Sequence, residues 1–108
     1  MNEPLLNMLG MARRAGKLSI GFDAAKQAVL SGKASAVYLA SDISAKTAKE
    51  ARWVCDPAGV PVCPLPWDML TVSNAVGIKC GCVSLNDKGF FRKTDALYQK
   101  LNREENNI

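Results

Sequence analysis

Lys17–Lys33, KLSIGFDAAKQAVLSGK, compresses a strand, a turn and a helix into one short stretch. Leu18–Ile20 has strand character, Gly21 supplies the reversal, and the helix is expected to open with Asp23 as its cap and to stop at Ser31-Gly32. Phe22, Ala25, Ala28 and Val29 then fall on one helical face, which must be buried against something. A glycine ahead of a helix also lets a ligand approach the free N–H groups of the first turn. With Lys17, Lys26 and Lys33 nearby, the junction has two readings, a plain strand-to-helix turn or a seat for an anionic group.

The rest of the chain repeats this alternation. Glu3–Ala15 places Leu5, Met8, Leu9 and Ala12 at helical spacing, with Arg13 and Arg14 in the last turn complementing its negative end. Ala36–Ala40 (AVYLA) is apolar throughout and is expected to be a central strand buried on both faces. Ser44 is placed to cap a helix over Ala45–Asp56, its inner stripe being Ala48, Ala51, Val54 and Cys55, and Pro57-Ala58-Gly59 is expected to close it. Val60–Leu65 is a third strand, with Pro61 and Pro64 arguing for a late start or an edge position. A short helix is expected over Trp67–Val76, a fourth strand over Gly81–Leu85 and a last helix from about Gly89 to Asn102. The order α-β-α-β-α-β-α-β-α predicts an α/β fold, a three-layer α/β/α sandwich with a four-stranded mixed or mostly parallel sheet. At 108 residues this is one domain, expected over residues 1–102, with a polar tail over 103–108.

Several function classes lack their parts. The chain has no histidine, no G-x-S-x-G elbow, no phosphate loop of the G-x-x-x-x-G-K-[ST] type and no G-x-G-x-x-G turn. Asp23, Asp42, Asp68 and Asp87 all fall near element ends, as caps and turn residues do, so no catalytic residue and no cofactor is expected. Cys55, Cys63, Cys80 and Cys82 contain no C-x-x-C pair, and Cys80 and Cys82 on one strand would crowd a single face. They are expected to be free thiols in a reduced compartment, with no metal. No apolar run approaches the roughly 20 residues that span a bilayer. The N-terminus lacks a secretory pattern, so a cytoplasmic protein without membrane contact is expected.

A binding role has more support. Formal charge is +4, from 14 Lys and Arg against 10 Asp and Glu, which favours polyanionic partners. If the strands run parallel, the loops at Gly21, Ser41–Ser44 and Gly77–Gly81 gather at one end of the sheet, where open α/β sheets hold their ligands. Ile78 sits in a loop beside Lys79 and Cys80, where it either caps the core or packs on an unstacked base while the ammonium meets a phosphate.

Together these stretches resemble a known family. LLNMLGMARRAGKL over Leu5–Leu18, GFDAAK from Gly21, SGKA from Ser31, VYLASD ending at Asp42, GVP from Gly59 and AVGI from Ala75 are similar to bacterial members of the kink-turn-binding L7Ae/L30e ribosomal-protein group. The likeness runs from about Leu5 to Arg92. It implies the α/β/α sandwich, no catalysis, and RNA contact at the start of the second helix and in an apolar loop before the last strand. The family's G-x-N-E-x-x-K signature, laid on this chain from Gly21, meets Asp23, Ala24 and Gln27 at its asparagine, glutamate and lysine positions, so only the glycine is retained. The expected RNA-binding set is Lys17, Gly21, Phe22, Asp23, Lys26, Gln27, Ile78, Lys79 and Cys80. The expected partner is structured RNA of kink-turn or ribosomal type, or the ribosome, bound by a monomer. The rivals are a protein-interaction module on the same fold and a detached recognition unit of an RNA-modifying enzyme.

Overall fold

The computed structural model describes residues 3–106, with side chains to Arg103. The elements are α1 (Pro4–Arg14), β1 (Leu18–Ile20), α2 (Phe22–Leu30), β2 (Ala36–Leu39), α3 (Ala45–Ala58), β3 (Val62–Pro64), α4 (Met69–Val76), β4 (Cys82–Leu85) and α5 (Lys88–Asn106). The four strands form one mixed sheet in the order β1-β4-β2-β3. Strand β4 runs antiparallel to both neighbours, pairing Leu18↔Leu85 and Ile20↔Val83 on one side and Ala36↔Leu85 and Leu39↔Cys82 on the other. Strands β2 and β3 are parallel.

The alternation of side chains along the strands sorts the core into two layers. Ala36, Tyr38, Val83 and Leu85 face one way, onto Leu5, Leu6, Leu9 and Ala12 of α1, Val72 and Val76 of α4, and the flank of α5. Val37, Leu39 and Cys82 face the other way, onto Ala25 and Val29 of α2 and Ala51 and Cys55 of α3. Strand β2 is buried on both faces, as its apolar run predicts, and β3 starts late and takes the edge, as its prolines predict.

Several expected details are corrected. Helix α2 begins at Phe22 with Gly21 as its N-cap, and Asp23 lies inside the first turn without capping it. Helix α3 carries Pro57 in its last turn and ends at Gly59, because a proline near a helix end forfeits one ladder bond without ending the coil. Helix α4 opens only after Asp68, whose carboxylate accepts from the Thr71 N–H. That bond holds the Asp68 carboxyl below the usual carboxylate range. Helix α5 continues past Asn102 to Asn106; residues 107 and 108 lie outside the described part. Cys80 and Cys82 do not share a face, because the strand begins only at Cys82. Cys80 joins the α1/α4 layer and Cys82 the α2/α3 layer. All four cysteines are free and buried.

Two expectations follow from this packing. Helices α1 and α4 cross at Gly10, where a Cβ would lie 2.7 Å from the Ala75 carbonyl oxygen, too close for either backbone to accept unmoved. Gly10→Ala should lower stability by about 1–3 kcal/mol in urea unfolding, although alanine is ordinarily the better helix former. A gain in stability would mean that the two helices separate freely.

Burial pushes Cys63 and Cys82 up to about 12 from 9.0, helped by Asp95 at Cys63 and by Cys55 at Cys82. The folded chain thus holds these protons more tightly than the unfolded chain. Their stabilisation is complete below about pH 9 and is lost as pH climbs towards 12. The urea midpoint should fall in that range, and by less in Cys82→Ala.

Candidate nucleic-acid interface

Because β4 runs against its neighbours, its first two residues meet the last residues of β1 and β2, Val83 opposite Ile20 and Cys82 opposite Leu39. The loops expected to gather at one end of a parallel sheet therefore do gather, although one of them enters its strand where the others leave. Gly21 N–H donates to Cys82 O at 2.8 Å, and Ala40 N–H donates to Gly81 O at 2.9 Å. Ser41 N–H reaches the Trp67 carbonyl at 2.8 Å, which brings in the approach to α4.

Gly21 has φ +90° and ψ 160°, a conformation that side-chain-bearing residues rarely adopt, and the space beside it is open. No side chain caps α2, so the amides of its first turn lie at this open end. Phe22 is half-buried against the α2/α3 layer, and Asp23 is exposed in the first turn. Lys26 and Gln27 lie on different flanks of the helix. Lys26 borders the crevice towards Val54 and Cys55 of α3, and Gln27 lines a shallow hollow with Ser19, Ala24, Ser31 and Lys33.

The loop over residues 77–79 is held from both sides. The Ser73 hydroxyl accepts from Cys80 N–H at 2.9 Å and donates to Cys80 O at 3.0 Å, closing a bracket between α4 and the approach to β4. Arg13 Nη1 donates to Val76 O at 3.3 Å and covers the last turn of α4. At the other end of α4, Asp42 accepts from Met69 N–H at 2.8 Å, joining the turn after β2 to the helix start. Between these ties lies an open hollow of about 630 Å³, bordered by Asp42, Leu70, Asn74, Ile78 and Lys79. Ile78 belongs to neither core layer among the described residues and is 44% exposed, so its side chain faces this hollow rather than capping the core.

Two of the expected site residues lie apart from the others. Lys17 precedes β1, and its carbonyl accepts from Asn86 N–H after β4, at the opposite end of the sheet from Gly21. An extended chain advances about 3.3 Å per residue, so even a three-residue strand separates the two ends. Cys80 is 6% exposed in the α1/α4 layer, and both its backbone groups are taken by Ser73, so it presents nothing to a partner. Gly21, Phe22, Asp23, Lys26, Ile78 and Lys79 do lie at one end of the molecule.

Other residues there escaped the sequence reading. Arg13 appeared only to complement its own helix, and Asp42 only to turn the chain. Leu70 left a usable sign. Met69, Val72 and Val76 make the inner stripe of α4, and Leu70 falls off that stripe and is 70% exposed. Among the described residues no group of three or more His, Cys, Asp or Glu is placed to hold a metal, and no helix is long and apolar enough to cross a membrane.

Comparison with known proteins places this geometry in context. Residues 4–91 match the model of the ribosomal protein L7Ae/L30e/S12e/Gadd45 family. The RNA-binding protein YlxQ of Enterococcus faecium is 29% identical over 97 residues, covering 90% of this chain and 93% of that protein. A protein of unknown function from Bacillus halodurans C superposes with a TM-score of 0.85 at 29% identity, over 91% of this chain and 99% of the other. A 15.5kD RNA binding protein of Giardia lamblia, at 19% identity, shares the fold with a TM-score of 0.77, over 95% of this chain and 92% of its own.

Removing the Ser73 hydroxyl leaves a buried amide and carbonyl without partners. Ser73→Ala should therefore cost about 1–3 kcal/mol and speed exchange of the Cys80 amide hydrogen. Unchanged protection of that amide would mean the loop is held by something other than the bracket.

Proposed function

This chain belongs to the ribosomal protein L7Ae/L30e/S12e/Gadd45 family, and on that footing we propose that it is a non-enzymatic cytoplasmic protein that binds structured RNA, of kink-turn-like or ribosomal type, through the end of the sheet at Gly21. The observation that carries the reading is the juxtaposition of an uncapped helix start with an exposed apolar loop. The amides after Gly21 have no side-chain cap, and Ile78 and Lys79 stand on the loop tied in through β4. The name of the Enterococcus relative, similar over nearly its whole length, supports an RNA partner.

The chemistry divides by residue. The helix start offers N–H donors and the positive end of a dipole to a phosphate or a guanine edge. Gly21 lets the nucleic-acid backbone approach without meeting a side chain. Ile78 offers an apolar surface to an unstacked base, and the hollow beside it has room for one. Lys26 and Lys79 neutralise phosphates, positioning the RNA without reading its sequence. Asp23 accepts hydrogen bonds but donates none, so whatever it reads must present a donor, as guanine does on its Watson–Crick edge.

The reading is tested by salt titration of binding to a kink-turn, to the same stem with its G·A pairs replaced, and to a plain duplex. Preference for the kink-turn at physiological salt is expected. Charge reversal in Lys26→Glu/Lys79→Glu should weaken binding to all three and reduce the salt slope by about 2, or about one per phosphate contact. Affinity untouched by the double reversal would remove these residues from the interface. Weak binding, indifferent to structure and abolished by modest salt, would favour a protein-interaction module.

A further inference from the structure

We infer that the outer face of α3 carries a second part of the RNA contact: Trp53 stacks on an unpaired base, and Lys46 and Lys49 hold the phosphates linking that base to the element bound at Gly21. The inference rests on the RNA-binding reading above and extends it to a helix with no part in the hollow at Ile78. Trp53 is 80% exposed, the most exposed large apolar side chain of the described part. Ala51 and Cys55 turn inward and bury α3 against the sheet, leaving the indole on the far side.

Spacing puts the cations beside it. Residues three and four apart share a helix face, so Lys46, Lys49 and Trp53 form one stripe. Helix α3 leaves the sheet just after β2, at the end that holds Gly21 and the residue 77–79 loop. Trp53 lies eight residues beyond Ala45, about 12 Å further along the axis at 1.5 Å per residue, within reach of a few nucleotides. Lys26 borders the crevice between α2 and α3, so a further cation stands between the Gly21 end and α3. The helix also carries Glu50 and Asp56. Its first two turns nonetheless hold two lysines against one half-buried glutamate, and the net positive charge lies on the side nearer Gly21.

The surroundings of Trp53 distinguish a base from a protein partner. A protein interface seats its aromatic anchor within an apolar, water-excluded patch. Here the neighbours one turn away are Lys49, Glu50, Asp56 and Pro57, all but Glu50 exposed. An exposed π-face outside any apolar patch, with Lys49 and Lys46 on its Gly21 side, suits a single-stranded nucleotide, whose base stacks while its phosphate is neutralised.

The test uses the full chain and two RNAs, a kink-turn stem with unpaired nucleotides at its ends and the same stem with blunt ends. Affinity is measured by mobility shift and tryptophan emission is recorded in parallel. Binding of the flanked RNA should quench an emission component that is missing in Trp53→Ala. Trp53→Ala should weaken the flanked RNA by about 5-fold or more and leave the blunt RNA unchanged. Trp53→Phe should retain part of the difference. The double variant Lys46→Glu/Lys49→Glu should reduce the salt slope on the flanked RNA only. If Trp53→Ala binds both RNAs like the parent while Ile78→Ala weakens both, the α3 contact is overturned and the reading of the Gly21 end survives. If Trp53→Ala weakens the flanked RNA while Ile78→Ala and Lys79→Glu have no effect, the α3 contact stands and the Gly21 reading fails. No binding of either RNA overturns both.

Discussion

The antiparallel insertion of β4 between β1 and β2 governs where everything else lies. Its hydrogen bonds from Gly21 to Cys82 and from Ala40 to Gly81 join three segments that are far apart in the chain. Each of those bonds is an ordinary backbone contact, but together they set the distance between the start of α2 and the loop that carries Ile78 and Lys79. At Gly81 a Cβ would fall 2.6 Å from the Met69 sulfur and 2.8 Å from Ile43, so the approach to β4 packs closely on those two side chains.

The two helical layers do different work on this frame. Helices α2 and α3 both leave the sheet at its Gly21 end, so both point their amino termini, and the positive ends of their dipoles, the same way. Helices α1 and α4 cover the opposite face and meet at Gly10, where the absence of a side chain lets two backbones touch. From that layer Arg13 reaches the Val76 carbonyl at the end of α4 and Ser73 fastens the loop beyond it. One layer brings its helix starts to that end of the sheet, and the other supports the loop beside them.

Local pattern made the succession of elements legible. The apolar run AVYLA read as a strand with two buried faces, and the prolines around Val62 pointed to a late start or an edge. Gly21 was legible as the turn that separates a strand from a helix. The layout of the end that it occupies was half legible. Asp42 and Met69 lie 27 positions apart, Ser19 and Asn86 lie 67 apart, and no short-range pattern announces either bond. Lys17 lies apart from Gly21 because proximity in sequence is not proximity in space once a strand intervenes. Asp23 was misassigned as a cap because an acidic residue suits the first turn of a helix as well as the position before it. Exposure was equally invisible, and Leu70 and Trp53 became interesting only once their neighbours were known to be buried.

The bracket at Ser73 has a kinetic meaning. A loop whose backbone is tied down before it meets its partner has less conformational freedom left to lose, so association would cost less ordering at residues 77–79. Encounter then depends on charge and orientation alone, and ligands of different fit differ in how long they stay rather than in how fast they arrive. A chain with few direct readers of sequence would in this way discriminate among RNAs by residence time.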